Sequence, residues 1–299
     1  MSGAAPDHLA AFQQHRPMLT SLAYRILGSV TDAEDVLQDA YLRFQAAPWG
    51  EIRSPKAYLS AIVTRLCLNQ LTSARARREA YVGPWLPEPV LSAGHPELTD
   101  PEARAAAYDS VSMAFLVLLE RLTPAERAVL VLRDVFEFEY GEIAEMLQKS
   151  EAACRQLLTR AKEHIAVGRP RFQPSPEEHR RLLEQFMRAA GNGDLEGLKL
   201  MLAEDVTFWA DGGGKVPGAA LQPVRGPVDV ARFVIGVTAR FMPPGGGVEV
   251  ADVNGKPTLL IRRADGVPAI VVSIDVDGGV IHNIWAVANP DKLRRFEHA

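Results

Sequence analysis

The sequence has few cysteines, no long hydrophobic run and no excess of basic charge. Its 299 residues include only Cys67 and Cys154, too few for a disulfide framework or a cysteine-rich metal cage. Its longest apolar run is Met113–Leu119, far shorter than the ~20 residues of a membrane-spanning helix. The first residues lack the apolar core of a signal peptide. We therefore expect a cytoplasmic protein with reduced, buried thiols, no metal and no membrane partner.

The overall charge gives no sign of a nucleic-acid partner. The chain has 33 Lys and Arg against 37 Asp and Glu, a formal net charge of −4. Apolar residues make up 47% of the chain, enough to bury substantial cores. Any nucleic-acid-binding surface must therefore be a local one.

Two segments rich in proline and glycine divide the chain into three blocks. The first segment covers residues 83–101 and the second residues 168–176, and neither has the periodicity of a helix or strand. The blocks between them are long enough to fold as separate domains. We predict domains at 10–80, 101–168 and 176–299, joined by linkers at 81–100 and 169–175.

Capping patterns mark the predicted helix starts. Thr31–Glu34, Thr123–Glu126 and Ser175–Glu178 each place a hydroxyl residue three positions before a glutamate, the pattern of a capping box. Ser54–Pro55 and Asp100–Pro101 place proline at a first helical position. Apolar residues follow at spacings of three and four, which predicts two all-α domains in the first 168 residues.

The third block changes from helical to strand periodicity. Pro176–Ala190 and Asp194–Ala203 are predicted helices. Alternating apolar runs then flank Asn254–Gly255 and Asp277–Gly278, pairs that favour two-residue hairpin turns because both residues take positive φ. Helices followed by a meander predict an α+β domain with helices on one face of its sheet.

Residues 139–162 have the pattern of a helix-turn-helix. Gln148–Ser150 forms the predicted turn, and Ser150 can cap the second helix. Gln148 stands where such turns usually have glycine, in a left-handed conformation that glutamine adopts less easily. An ordinary helical hairpin with a solvated basic face is the alternative. If the second helix enters the major groove, its exposed positions are Ala152, Ala153, Arg155, Gln156, Thr159, Arg160 and Lys162. Arg155 and Gln156 suit base edges, whereas Arg160 and Lys162 suit phosphates.

The first block contains an acidic helix and then a basic one. The acidic helix carries Asp32, Glu34, Asp35, Gln38, Asp39 and Tyr41. Like charges four residues apart destabilise an isolated helix, so a basic docking partner and a plain solvated face both remain open. The basic helix carries Tyr58, Arg65, Asn69, Arg75, Arg77 and Arg78. Basic side chains interleaved with aromatic rings suit a strand with unstacked bases, and a basic helix end stabilised by the helix dipole is the alternative.

The order of these motifs resembles the extracytoplasmic-function sigma factors of bacterial RNA polymerase. The motifs are Asp-Ala-Glu-Asp-x-x-Gln-x-x-Tyr at 32–41, Leu-Thr-Pro-x-Glu-Arg at 122–127 and Arg-Ala-Lys at 160–162. The resemblance implies that residues 32–41 dock on the β′ clamp helices of core RNA polymerase, whose β flap is a further contact. It also implies that residues 58–78 melt and bind the −10 promoter element and that residues 139–162 read the −35 element.

Three further segments resemble the subgroup with a C-terminal SnoaL-like domain of the NTF2-like fold. They are Trp85, Leu86, Pro87, Glu88 and Pro89; Asp211, Gly212, Gly213, Gly214 and Lys215; and Asn289, Pro290, Asp291, Lys292 and Leu293. The resemblance implies that this domain modulates the sigma factor in place of a separate anti-sigma protein. The three glycines indicate a turn or mobile loop. We predict that the three segments contact one another.

Two other functions compete with this interpretation. A conventional helix-turn-helix regulator with a ligand domain would bind duplex DNA alone, usually as a dimer. An NTF2-like enzyme would use a buried carboxylate or histidine in its pocket, and the candidate pocket residues are Asp205, Asp211, Asp275, His282 and Trp209. These show no convergent pair at a fixed spacing. We therefore expect no catalysis and no cofactor, while a small ligand in this domain stays open as a partner.

Overall fold

The computed structural model describes residues 8–94, 110–166 and 175–297, and only the backbone of residues 74–79. The predicted helix start at Asp100–Pro101 lies outside these residues. The chain separates into two compact units: unit 1 comprises 1–77, 95–110 and 115–168, and unit 2 comprises 78–94, 111–114 and 169–299. None of the described helices has both the length and the hydropathy needed to cross a bilayer.

Three helices form the first half of unit 1. They are α1 (His8–Leu27), α2 (Val30–Ala46) and α3 (Pro55–Glu79), with a 3₁₀ turn at Trp49–Glu51. Leu22, Leu37, Leu59 and Val63 are buried on their inner faces. Ser54 caps α3 as predicted, accepting a hydrogen bond from the Ala57 backbone at 3.3 Å.

The cap predicted at Thr31 is wrong by two residues. Ser29 caps α2, and its hydroxyl accepts a hydrogen bond from the Asp32 backbone N–H at 3.2 Å. Gly28 has a φ of 70°, which ends α1, and only Gly28 and Ser29 lie between the two helices. Thr31 therefore lies inside the first turn of α2.

The second half of unit 1 contains the helix-turn-helix. Its helices are α4 (Met113–Leu119), α5 (Pro124–Leu130), a π-helical turn (Val131–Val135), α6 (Tyr140–Leu147) and α7 (Glu151–Ala166). The predicted capping box of Thr123 and Glu126 is present at the start of α5. Ser150 caps α7 by accepting a hydrogen bond from the Ala153 backbone at 3.2 Å. Both helices of the predicted motif are thus present, and α6 and α7 pack against each other.

Gln148 occupies the left-handed position that glycine usually takes, with φ 54° and ψ 46°. A left-handed conformation costs an L-residue roughly 1–2 kcal/mol, which glycine avoids. Gln148→Gly is therefore expected to raise the free energy of unfolding of unit 1 by about 0.5–1 kcal/mol, after the extra chain entropy of glycine is subtracted. Urea denaturation followed by circular dichroism would measure this change. Glu145→Gly, in the right-handed interior of α6, should instead destabilise the unit, and a loss in both variants would contradict the strain argument.

Unit 2 contains an α+β domain built on one six-stranded sheet. Its helices are α8 (Pro176–Asn192), α9 (Leu195–Met201), α10 (Pro227–Phe241) and α11 (Pro290–Leu293). Its strands are β1 (Leu202–Asp211), β2 (Val224–Arg225), β3 (Gly247–Val253), β4 (Lys256–Arg262), β5 (Pro268–Asp277) and β6 (Val280–Val287), in the order β2-β1-β6-β5-β4-β3. β1 and β6 are parallel, and the other neighbouring strands are antiparallel.

The two predicted hairpins are present, one of them with a different turn. Asn254 and Gly255 have φ of 52° and 72°, as a two-residue turn with positive φ requires. The second turn is Gly278–Gly279, with φ of 60° and 82°, and Asp277 instead pairs with Val280 as the last residue of β5. Two consecutive glycines adopt positive φ more easily than aspartate and glycine. The turn therefore lies one residue later than the predicted Asp277–Gly278.

The middle of this domain differs from the predicted sequence of elements. The second predicted helix, Asp194–Ala203, begins after its cap at Asp194 but ends at Met201, and Leu202 already belongs to β1. β1, β2 and α10 were not predicted. β1 pairs with β6, which lies about 80 residues further along the chain; such a long-range pairing leaves little trace in local periodicity.

Both faces of the sheet are buried. On one face, Phe208, Ile261 and Ile284 join a core with Leu183 and Val230 of the helices. On the other face, Leu260, Val271, Trp285 and Val287 are also buried. α11 packs on β5, and Leu91 of the segment after Glu79 forms a β-bridge with Val253. The proline-rich segment therefore folds as part of unit 2.

Candidate functional site

The outer face of α7 presents the side chains predicted to read the −35 element. Ala152, Arg155, Gln156, Thr159, Arg160 and Lys162 are exposed and Ala153 is half-buried, while Cys154, Leu158 and Ala161 face the core. Arg155 forms an ion pair with Glu151 at 2.8 Å and lies 4.6 Å from the ring centre of Tyr140. Lys162 forms an ion pair with Asp134 at 3.0 Å. These contacts orient two of the cations along one exposed surface.

The acidic residues of α2 divide between solvent and internal contacts. Asp35, Gln38 and Asp39 are exposed, whereas Asp32, Glu34 and Tyr41 are half-buried. Asp32 accepts a hydrogen bond at 2.8 Å from Gln70 of α3. A groove of about 420 Å³ runs between α1 and α2, and its lining includes Phe12, Arg16, Glu34, Gln38 and Tyr41. The predicted docking surface therefore includes a concave part.

The residues predicted to bind the −10 element lie along α3. Tyr58 is 38% exposed and Asn69 is exposed. The side chains of Arg75, Arg77 and Arg78 lie outside the described residues. Arg65 donates hydrogen bonds at 3.0 Å to the backbone oxygens of Glu145 and Met146, in the last turn of α6. It thus adds donors at the C-terminal end of α6, where the Glu145 carbonyl also accepts from the Gln148 N–H at 3.4 Å, and the sequence does not indicate this contact.

A buried carboxylate, Asp211 at the end of β1, lies at the centre of the three segments that the sequence singled out. Its side chain is 0% exposed. Oδ1 accepts hydrogen bonds from the Tyr81 hydroxyl at 2.6 Å and the Gly213 backbone at 3.1 Å. Oδ2 accepts from the Leu86 backbone N–H at 2.9 Å and from Lys292 Nζ at 2.6 Å. We call Tyr81, Asp211, Asn289 and Lys292 the latch.

The other members of the latch complete this network. Asn289 Nδ2 donates to the Tyr81 hydroxyl at 2.7 Å. Lys292 Nζ donates to the Leu86 carbonyl and lies 4.1 Å from the ring centre of Trp85, close enough for a cation–π interaction. Burial and the neighbouring Asp211 carboxylate raise the pKa of Tyr81, so the phenol stays protonated and remains a donor. Tyr81 was not among the predicted residues, and only its position just before the Trp85–Pro89 motif distinguishes it.

The remaining residues of the three segments surround the latch. Leu86–Pro89 and Leu293 are buried. Glu88 is 3% exposed and pairs with Arg295 at 3.8 Å, and Lys215 pairs with Asp291. Both ion pairs join one segment to the region of α11.

The glycines after Asp211 allow two other segments of the chain to pack closely against this turn. A Cβ atom on Gly213 would lie 2.5 Å from Asn289 Nδ2, and one on Gly214 would lie 3.0 Å from Cβ of Val82. Both glycines have positive φ. The turn predicted here is present, since the Lys215 N–H donates to the Gly212 carbonyl at 2.9 Å, and its glycines pack tightly against Asn289 and Val82.

The turn between β3 and β4 contacts two parts of the chain that joins α3 to α4, one near its middle and one just before α4. The Asn254 backbone N–H donates to the Val90 carbonyl at 2.8 Å, and its Oδ1 accepts from the Val90 N–H at 3.0 Å. Its Nδ2 donates to the Val111 carbonyl at 2.9 Å. Gly255 N–H donates to the Ser92 hydroxyl at 3.0 Å. We call these contacts the Asn254 clip.

The titratable groups weighed for catalysis do not line the cavity of this domain. Contrary to expectation, two of them converge: His282 Nδ1 and Asp205 Oδ1 lie 2.9 Å apart, with side chains 33% and 79% exposed. Asp275 accepts a hydrogen bond from Asn283 at 3.2 Å, and its burial raises its pKa. None of these residues, nor Trp209 or Asp211, is among the described residues that line the cavity of about 390 Å³.

The described residues contain no cluster of three His, Cys, Asp or Glu side chains suited to a metal ion. Both cysteines are free and buried. Burial raises the pKa of the Cys67 thiol, which keeps it protonated and unreactive.

Comparison with known proteins places both halves of unit 1 in one family. The Sigma-70 region 2 model matches residues 11–77, and the Sigma-70 region 4 model matches residues 112–165. The ECF RNA polymerase sigma factor SigJ of Mycobacterium tuberculosis is 39% identical over 293 residues, covering 95% of this chain and 93% of SigJ. The probable ECF RNA polymerase sigma factor SigI of the same species is 32% identical, covering 95% of this chain and 94% of SigI.

The similarity extends to a solved structure. The crystal structure of Mycobacterium tuberculosis SigJ has a TM-score of 0.74 to this chain at 38% sequence identity. The match covers 95% of this chain and 97% of the SigJ chain. The two helical domains and the α+β domain are therefore common to both chains.

Proposed function

We propose, from the premise that this chain belongs to the ECF sigma factors of RNA polymerase, that its α+β domain modulates promoter-directed transcription initiation in cis. The observation that carries the proposal is the latch, in which buried Asp211 binds Tyr81, Leu86 and Lys292. Residues 78–94 form the first part of the chain that connects α3 to α4, and so connects the two helical domains. A domain that holds this segment can influence how those domains engage a promoter.

We assign the family's contacts to this chain as follows. The exposed acids of α2, with the groove beside them, are the docking surface for the β′ clamp helices of core RNA polymerase, and the β flap is a second contact. Residues 58–78 bind the −10 element, and the exposed face of α7 reads the −35 element. Cationic and amide side chains on an exposed helix face support this assignment. The place of action is the cytoplasm, where core polymerase and promoter DNA are found.

The chemistry of the latch explains why the α+β domain would act in place of a separate regulatory protein. Asp211 and Lys292 are both desolvated, with 0% and 11% of their side chains exposed. If the ion pair between them separated, each buried charge would be left without a partner, which costs free energy. The segment is therefore held by interactions that resist partial opening, as expected of a regulatory contact with two discrete states.

The proposal is tested by run-off transcription with purified core polymerase and a pool of genomic promoter fragments. The wild-type chain is expected to start transcription, and Lys292→Met is expected to change the yield severalfold. Lys199→Met is the matched control, because Lys199 makes only an exposed ion pair with Glu196 at 2.9 Å.

The same assay separates modulation from promoter recognition. Gln156→Ala should reduce yield at promoters that the wild-type chain selects, because a side chain that reads a base contributes about 1–3 kcal/mol of discrimination. Equal yields from the wild-type, Lys292→Met and Lys199→Met chains would refute modulation through the latch while leaving the sigma activity in place.

A further inference from the structure

The α+β domain has a partly open apolar cavity between its sheet and its helices. Its volume is about 390 Å³, and its walls include Phe208, Phe233, Phe241, Leu259, Ile261 and Val272. Among the described lining residues, Thr238 contributes the only polar side chain. Such a lining cannot compensate a charge, because an unpaired ion in an apolar site loses its hydration without gaining a partner.

The cavity has the size and lining for a small uncharged molecule. An engineered protein cavity of 150 Å³ lined by aliphatic and aromatic side chains stays free of water and binds benzene. By the ratio of volumes, the larger cavity here accommodates about 15 non-hydrogen atoms. The shape and lining fit a hydrocarbon-rich molecule with few hydrogen-bonding groups.

One wall of the cavity continues directly from the latch. Val216, Pro217, Gly218 and Ala219 line the cavity, and they follow the Asp211–Lys215 segment in the chain. A Cβ atom on Gly218 would lie 2.5 Å from the Phe241 ring, so this part of the loop packs against a second lining residue.

The opposite side of the same loop belongs to the latch. Gly213 packs on Asn289, and Lys215 pairs with Asp291. Gly212 sits between the two sides, since a Cβ atom there would lie 2.7 Å from Cβ of Ala219. Opening the latch would therefore displace the wall formed by residues 216–219.

We propose that this cavity binds an uncharged, hydrocarbon-rich small molecule, and that binding stabilises the closed latch. The ligand contacts residues 216–219 only where the closed latch holds them, so it has a higher affinity for the latched state. A ligand shifts an equilibrium toward the state that it binds more tightly. By reciprocity, opening the latch must weaken ligand binding by the same factor. Only the consequence for transcription rests on the proposed function.

The first experiment measures binding of N-phenyl-1-naphthylamine, an uncharged probe whose fluorescence rises in apolar surroundings. The full-length chain is expected to bind it, and the same skeleton carrying a sulfonate, 8-anilino-1-naphthalenesulfonate, should bind at least tenfold more weakly. Val237→Trp places a large ring in the cavity from α10 and should weaken binding of the uncharged probe at least tenfold.

Val228→Trp is the matched control, because Val228 lies on the same helix, is 37% exposed and is not a lining residue. It should leave the affinity within twofold of wild type. If Val237→Trp loses the native circular dichroism, Ala269→Leu fills the cavity from the strand side. Binding that is absent, or equally strong in the cavity-filled variant and the control, would overturn the assignment of the site.

The second experiment tests the link to the latch. Saturating probe should slow hydrogen exchange of the Leu86 amide, which donates to Asp211, at least fivefold. Lys292→Met should weaken probe binding about threefold to tenfold, whereas Lys199→Met should not. A probe that binds the cavity but leaves Leu86 exchange and the Lys292→Met affinity unchanged would refute the link. This result is independent of run-off yield, so failure here and failure of the proposed function are distinguishable.

Discussion

Replacing Lys292 with methionine is expected to lower the free energy of unfolding of unit 2 by about 3–5 kcal/mol. The substitution keeps most of the side-chain volume but leaves the Asp211 carboxylate buried without its cation. The ammonium group also donates to the Leu86 carbonyl and contacts the Trp85 ring, and both contacts disappear. Urea denaturation followed by tryptophan fluorescence suits the measurement, because Trp85, Trp209 and Trp285 all belong to unit 2.

A double-mutant cycle separates the charge pair from general packing. Asp211→Asn alone leaves a largely buried ammonium group with a neutral partner and should also destabilise unit 2. The double variant, Asp211→Asn with Lys292→Met, should lose less than the sum of the single variants, because neither charge is then left unpaired. Lys199→Met should stay within about 0.5 kcal/mol of wild type, as exposed ion pairs contribute little. A Lys292→Met chain as stable as this control would contradict the account of the latch.

Unit 2 is expected to lose up to about 3 kcal/mol of stability between pH 6.5 and pH 4 because of His179. This imidazole is buried in the first turn of α8. Burial, together with the charge of Lys256, lowers its pKa to about 4 from the usual histidine value of 6.5. As the pH falls through 6.5, His179 becomes protonated in the unfolded chain, whereas in the folded chain it stays neutral until about pH 4. The unfolded state is therefore favoured in this window, with no effect above pH 7.

Thermal or urea unfolding at pH 7.5 and pH 5 measures the contribution of His179. His179→Gln removes the titrating group and should flatten the loss of stability over this range, even if it lowers stability at both pH values. A variant that loses as much stability as wild type between the two pH values would show that other groups cause the dependence.

Local patterns in the sequence predicted several helix starts in both units and two of the hairpins of unit 2. The capping boxes at Thr123 and Ser175 and the turn at Asn254–Gly255 each depend on residues within a few positions of one another. Ser29 and Thr31 could each cap α2. The turn at Gly28, with its positive φ, places Ser29 at the N-cap. The sequence also indicated the exposed face of α7, because a helical period directly determines which side chains face outward.

Other features depend on residues that are far apart in the chain. β1 lies in the sheet because of its pairing with β6, and α10 lies between strands whose pairing is not local. Tyr81 reaches Asp211 across 130 positions, and Arg65 reaches the end of α6 across about 80. The resemblance grouped the three motif segments, yet no spacing rule could show that a single buried carboxylate connects them.

The Asn254 clip has a consequence for the length of chain available between the two sigma domains. Residues 93–110 lie between Ser92 and Val111, and a chain of that length can span at most about 60 Å. One turn holds Val90, Ser92 and Val111, so Ser92 and Val111, at the two ends of this stretch, are attached to the same turn. Along B-DNA, where each base pair advances 3.4 Å, 60 Å corresponds to roughly 18 base pairs. If the two hydrogen bonds of the Asn254 side chain and the bond from Gly255 to Ser92 opened, these two ends would be free to separate by as much as that length.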